Sequence, residues 1–298
     1  MVFSASSLHF RANEEIYVLC LTRPEGVEDV LWKRIGNENR LVTVDAAAEY
    51  EDALALATNA DADHADAVID EPTVEGVALS LITKISPSDF WLTPCGYWKG
   101  PTTYTPKFAD LKLSCRLIAP EEPALAADFN AAQKKLLSLM KKIETQGYNS
   151  KVGVLDLSKA GIKLRHVVFE EKRAGNEDED DFKMCEWPAK SEAAKAARDE
   201  MDTSHRVHRI PAYDVGGDLI PPDRYASLSG AVVRATITLT HWAIGASKRD
   251  SYAADIVSFR VLVPGAPGGG SGKPSSPWKR RIEDRDPGAS PMKKMREN

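Results

Sequence analysis

The sequence predicts an α+β protein, mainly antiparallel β, with one central helix, several insertions and a disordered basic C-terminal tail. Three observations carry this. The run Val232 to Thr240 alternates strictly, with Val233, Ala235, Ile237 and Leu239 on one side and Arg234, Thr236, Thr238 and Thr240 on the other. Its return run sets Val257, Phe259, Val261 and Val263 against Ser258 and Arg260. Period-two alternation with β-branched residues marks strands. Second, Phe129, Leu136, Met140 and Ile143 follow one another at spacings of seven, four and three, which is one helical face. Third, the apolar pattern stops at Pro264, where Pro, Gly, Ser and charge take over.

Element by element, Glu15 to Leu21 reads as a strand and Thr22 to Gly26 as a turn. Asp45 is the expected N-cap of a short helix through Ala57. Asn59 to Asp70, rich in Ala and Asp, is expected to be a solvated connection. Val74 to Ile85 resumes as a strand, with Val77, Leu79, Leu81 and Thr83 on one face. A strand at Leu111 to Arg116 precedes the helix, expected from Ala124 to Gln146 with Gly147 as its stop. Lys151 to Phe169 suggests two strands around a turn at Lys159-Ala160-Gly161. Glu170 to Asp181 reads as a charged loop, Ser191 to Met201 as a short helix, and Tyr213 to Asp218 as a turn. The segment Ala243 to Tyr252 is too long for a tight hairpin and carries Lys248 and Arg249. Residues 1–263 are thus a globular body, divisible into an N-terminal extension at 1–80 and a strand-rich unit at 81–263, and residues 264–298 are the tail.

Composition narrows the function. At 43% hydrophobic and 28% charged, the 298-residue chain reads as a soluble globular protein, and no apolar run is long enough to span a bilayer. The N-terminus has no secretory pattern. Cys20, Cys95, Cys115 and Cys185 stand far apart without a CxxC pair, so reduced thiols are expected and neither a metal nor a cofactor is. The net charge of −5 is unevenly spread: Lys273 to Asn298 carries eight Lys/Arg and four Asp/Glu, leaving 31 cations against 40 anions elsewhere. An acidic body argues against broad binding of duplex DNA but permits a local basic groove.

The densest chemistry lies between Phe90 and Phe108. Trp91, Tyr97, Trp98 and Tyr104 alternate there with Lys99 and Lys107, in a stretch broken by Pro and Gly. Bases stack on aromatic faces while cations neutralise the backbone between them. Lys112, Arg116, Arg234, Lys248 and Arg249 would add phosphate contacts. The same rings also suit core plugs in a wound loop. In the tail, Lys279-Arg280-Arg281 and Lys293, Lys294 and Arg296 form two basic clusters on a Pro/Gly/Ser spacer, the pattern of a bipartite nuclear localisation signal read by an import carrier. Ser276-Pro277 and Ser290-Pro291 beside them read as proline-directed phosphorylation sites. A solubilising tail fits the same composition.

Catalytic patterns fail on inspection. Gly268 to Lys273 lacks the leading Gly of a phosphate loop and has Pro274 where Ser or Thr belongs. Cys95 or Cys115 with His166 and Asp156 lies in no recognisable catalytic flank, and His205 and His208, placed on one helical face, lack a third ligand. The chain therefore reads as a non-enzyme.

Leu111 to Arg116, the helix from Ala124, the strands after Lys151, the stretch Tyr213-Asp214-Val215-Gly216-Gly217-Asp218-Leu219-Ile220-Pro221 and the closing pair Leu228 to Ala235 with Ile256 to Leu262 resemble, in order, the single-stranded-DNA-binding proteins of phages and large DNA viruses. The likeness covers roughly Ser80 to Val263 and rests on element order. It implies an OB-like barrel that binds single-stranded nucleic acid, with DNA favoured over RNA, in replication, recombination or mobile-element biology. The family usually ends in an acidic tail that competes with DNA and recruits partners. This chain ends in a basic one, which points instead to a nuclear setting. A homo-oligomer is compatible with this reading, a membrane is not. The alternative is a non-catalytic nuclear interaction module whose acidic body docks a basic partner.

Overall fold

The computed structural model describes residues 18–21, 29–60, 72, 74–96, 98–103, 105–148, 150–155, 160–172 and 182–265. It is mixed α+β, built mostly of antiparallel strands. The strands are β1 (Val18–Cys20), β2 (Val30–Ile35), β3 (Glu38–Thr43), β4 (Ala78–Phe90), β5 (Lys112–Ile118), β6 (Ser150–Val152), β7 (Ile162–Val167), β8 (Phe169–Glu171), β9 (His205–Val207), β10 (Ala212–Tyr213), β11 (Val232–Ile244) and β12 (Arg249–Val263). The helices are α1 (Val44–Ala60), α2 (Pro123–Lys141) and α3 (Glu192–Met201).

Five strands close a ring. β4 pairs antiparallel with β5, β5 with β7, β12 with β11 and β11 with β4, while β7 meets β12 in parallel. Val77, Leu79, Leu81, Thr83 and Ile85 turn inward, opposed by Leu113, Cys115 and Leu117, Leu164, and Val233, Ala235 and Ile237, all buried. This is the period-two pattern of the sequence put to use, and burying it in one core is the main stabilising term. α2 covers the ring with Phe129, Ala132, Leu136, Leu139 and Met140. β2, β3 and α1 continue the sheet past β11, through pairing of Arg40 with Thr240 and of Asn39 with His241, and enclose a small core of Ile35, Val42, Ala47 and Tyr50.

Several boundaries differ from expectation. α1 is capped by Thr43, whose Oγ1 accepts from the Ala46 amide at 3.1 Å, so Asp45 sits in the first turn and the helix begins two residues early. α2 ends at Lys141, before Gly147, because Asp250 takes Thr145: its amide donates to Oδ2 at 3.0 Å and its hydroxyl to Oδ1 at 2.7 Å. Two strands, β6 and β7, flank the expected turn at Lys159-Ala160-Gly161: an antiparallel bridge of Leu155 with Ile162 and the Lys163 amide donating to the Val154 carbonyl at 2.8 Å join the two arms, and each strand also runs parallel to β12. Glu170 and Glu171 belong to β8 rather than a loop, and His205 lies on strand β9, not on a helix. Pairing of β11 with β12 persists to Ile244 and Arg249, which shrinks the expected long loop to Gly245–Lys248, with Lys248 left-handed at φ 45°. The turn at Asp214 and α3, capped by Ser191, stand where expected.

Candidate nucleic-acid interface

The outward side of β5 and β7 is the most functional-looking surface of the ring. Alternation puts Lys112, Ser114 and Arg116 outward on β5, opposite Val167, Arg165 and Lys163 on β7. A row runs from the residue just past β4 across three strands. The Trp91 amide donates to the Ser114 carbonyl at 2.8 Å, Ser114 stands opposite Arg165, and Arg165 opposite Asp255 of β12. Arg165 grips Asp255 through Nε and Nη2 at 2.7 and 3.1 Å, and its guanidinium lies 5.1 Å from the centre of the Trp242 ring on β11.

The other end of the row is built alike. Asp89 accepts from Trp91 Nε1 at 3.1 Å and from Arg116 Nε at 2.9 Å. Burial alone would raise the Asp89 carboxyl, but the hydrogen bonds from Arg116 and Trp91 and the charges of Arg116 and Lys163 outweigh it and hold it below the usual range. Burial, and then Arg165 close by, lowers the Lys112 ammonium against the opposing pull of Asp255 and Asp110. Trp91 keeps 45% of its surface.

The residues expected to bind are distributed unevenly. Trp91, Lys112 and Arg116 share the face, although Arg116 is buried against Asp89. Lys99 and Lys107 are exposed on the β4–β5 connection, and Lys248 on the β11–β12 tip beside the partly buried Arg249. Arg234 is exposed on β11 where that strand adjoins β4, a different sector of the ring. Trp98 takes the core position: its Nε1 donates to the Thr105 carbonyl at 3.2 Å and its ring meets Phe108 at 5.1 Å, in a chain of rings running through Phe169 to Trp187. Tyr97 and Tyr104 lie outside the described residues, as do the tail cations Lys279, Arg280, Arg281, Lys293, Lys294 and Arg296. Sequence reasoning missed Lys163, Arg165 and Trp242. The alternation of Lys163 and Arg165 against Ile162 and Leu164 was the available signal, and Trp242 follows from extending the β11 alternation past Thr240.

Among the described residues the expected Cys–His pairing does not assemble. Cys115 faces the core, where burial and then the Asp89 charge push its thiol far up. The His166 ring is buried with Nε2 2.8 Å from the His208 carbonyl, and Asp156 lies outside the described residues. Among the described residues no three His, Cys, Asp or Glu side chains gather as metal ligands, and no helix is long and apolar enough to cross a membrane. A buried polar node does exist at the root of the β11–β12 tip. Asn39 Nδ2 lies 3.1 Å from His241 Nδ1, and His241 Nε2 lies 3.0 Å from Asp250 Oδ1. A neutral His241 protonated on Nε2 satisfies both contacts. With the two bonds from Thr145, this node pins the tip to β3 and to the end of α2.

No protein-family model and no curated protein matches the chain. Among solved structures, gp2.5, a single-stranded DNA binding protein encoded by bacteriophage T7, is similar at 8% identity, over 65% of this chain and 90% of that one, with a TM-score of 0.34. A likeness that faint says nothing of what this chain binds.

Proposed function

We propose that this protein binds single-stranded nucleic acid, DNA by preference, without performing chemistry on it. The ring is read as an OB-like barrel. In such barrels the face of the second and third strands, with the loops joining the first to the second and the fourth to the fifth, takes up oligonucleotides. Counted around this ring those parts are β5 and β7, the connection carrying Trp91, Lys99 and Lys107, and the tip carrying Lys248. The observation that carries the reading is the row from Trp91 through Ser114 and Arg165 to Asp255, an outward strip joining an exposed aromatic to cations. Trp91 would stack a base; Lys99, Lys107, Lys112, Lys248 and Arg249 would meet phosphates, with Arg116 setting Trp91 through Asp89. Trp98 would act indirectly, by shaping the loop. The tail would serve as a nuclear import address.

The test is fluorescence anisotropy of labelled single-stranded and duplex oligonucleotides across a salt series. It compares the full chain with a full-length variant whose eight tail cations, Lys273, Lys279, Arg280, Arg281, Arg285, Lys293, Lys294 and Arg296, are changed to glutamine. Binding that prefers the single strand and survives tail neutralisation supports the reading. Binding that disappears with the tail charges, or is absent throughout, leaves the acidic body as a docking module for a basic partner, the reading favoured by its excess of 40 anions over 31 cations.

A further inference from the structure

We infer that the Arg165–Trp242 pair is a second base-stacking platform, and that the site recognises a run of unpaired bases bridging it to Trp91. This rests on the single-strand reading above and specifies it. The two ends of the row are built on one plan: a partly exposed tryptophan, an arginine, and an aspartate that fixes the arginine. At the first end Asp89 holds both Trp91 and Arg116. At the second Asp255 holds Arg165 in two hydrogen bonds, and Arg165 lies over Trp242. Trp242 faces outward because its neighbours, His241 and its cross-strand partner's neighbour Tyr252, are buried inward, while Trp242 pairs with the half-exposed Ser251.

Two features say that these ends take bases rather than phosphates. Each arginine already shares its charge with a carboxylate, so its attraction for a phosphate is largely cancelled, and the carboxylate itself repels one. A planar guanidinium stacked on an indole still offers a flat polarisable surface to a base. The cations held in no carboxylate hydrogen bond lie beside the row: Lys112 and Lys163 are exposed on the adjoining rows, where the backbone of a crossing strand would run. Two to three interstrand gaps of about 4.8 Å separate Trp91 from Arg165 and from Asp255, while Trp242 stands on β11 four residues beyond Thr238, the partner of Asp255, and joins the row only through Arg165. That is about 10–14 Å, or about three to four base steps at a rise of about 3.4 Å each and fewer when stretched. Stacking at both ends requires unpaired bases, which excludes a duplex from using the row.

The experiment is a length series of oligothymidylates from two to ten nucleotides, measured by competition against a labelled strand with the full-length protein, its Trp242→Ala and Trp242→Phe variants and Asp255→Asn. Thermal melting of each variant reports folding. The wild type is expected to gain affinity sharply between three and six nucleotides. Trp242→Ala should lose that step, with about tenfold or greater loss for the six-mer and less than about twofold for the two-mer, while Trp242→Phe retains most of it. Asp255→Asn should keep the fold and strengthen the salt dependence, since Arg165 is then free to meet a phosphate. A folded Trp242→Ala that keeps the wild-type length dependence overturns the platform while leaving single-strand binding intact. A wild type that binds no oligonucleotide overturns both readings. Should Trp242→Ala fail to fold, Trp242→Phe and Asp255→Asn decide: a lost step in the phenylalanine variant, or unchanged salt dependence in the asparagine variant, counts against it.

Discussion

Trp91 and Trp98 stand seven residues apart in one aromatic and basic segment, and their surroundings are opposite. Trp91 is 45% exposed, hydrogen-bonded to Asp89 and held just past the end of β4 by its amide on the Ser114 carbonyl of β5. Trp98 is 9% exposed and packed into a chain of rings that runs to the fully buried Trp187, whose Nε1 donates to the Pro94 carbonyl at 2.8 Å. The first is positioned by a strand and presented. The second is used to hold the loop that follows. The same chemistry thus divides into a solvent-facing surface and a core that fixes the geometry of that surface, and each half makes its own predictions.

The largest effects belong to the core half. Trp187→Ala should cost about 3–5 kcal/mol of stability, as large-to-small changes at well-packed aromatic sites do, whereas Trp91→Ala should move it by less than about 0.5 kcal/mol. Denaturant unfolding of the two variants measures the contrast, and similar losses would erase the distinction. Next comes the buried node. Asp250→Ala strands His241 Nε2 and the Thr145 groups that it now satisfies, and about 3 kcal/mol should be lost, since a buried group left without its partner costs about 1–3 kcal/mol. Changed binding without changed stability would show that the node acts on the tip and not on the fold.

On the outer half, Trp91→Ala should weaken single-strand binding by about 1–3 kcal/mol, the worth of one stacked base, read in an oligonucleotide titration at fixed salt. Smaller still is the acid response of the Asp89 pair. Its folded-state pKa lies below the unfolded value of about 3.9. The pair therefore contributes fully above that value, and its contribution vanishes as pH falls through the folded pKa. Asp89→Asn should lose about 1 kcal/mol near pH 6 and progressively less as pH falls below the unfolded value, so melting curves of the two proteins should converge on acidification. Lys112→Gln is the finest probe: if it contacts one phosphate, the slope of log affinity against log salt should shrink by about 0.7.

How much of this was legible follows from the kind of constraint each element obeys. β11 and β12 were readable because alternation of Val233, Ala235, Ile237 and Leu239 against Arg234 and Thr236 is local. So was the α2 face at Phe129, Leu136 and Met140. The end of α2 was not, because the group that stops it, Asp250, is 105 residues from Thr145. The closed ring was also hidden, since the β4–β11 pairing and the parallel β7–β12 contact leave no local mark. Composition located the aromatic segment but could not sort Trp91 from Trp98, a choice made by register and by Phe108 and Phe169 arriving from elsewhere. Arg165 and Trp242 escaped notice for the same reason: they are 77 residues apart in number and meet only once β7, β12 and β11 lie side by side.

The most direct test of the account pairs the two halves in one titration. Single-stranded and duplex oligonucleotides are titrated into the full-length wild type and into a Trp91→Ala, Trp242→Ala double variant, with the tail unchanged in both. The account predicts a wild type that prefers the single strand and a folded double variant that loses that preference, retaining only the weak, salt-sensitive attraction of its tail. A folded double variant that still selects the single strand as the wild type does would contradict it.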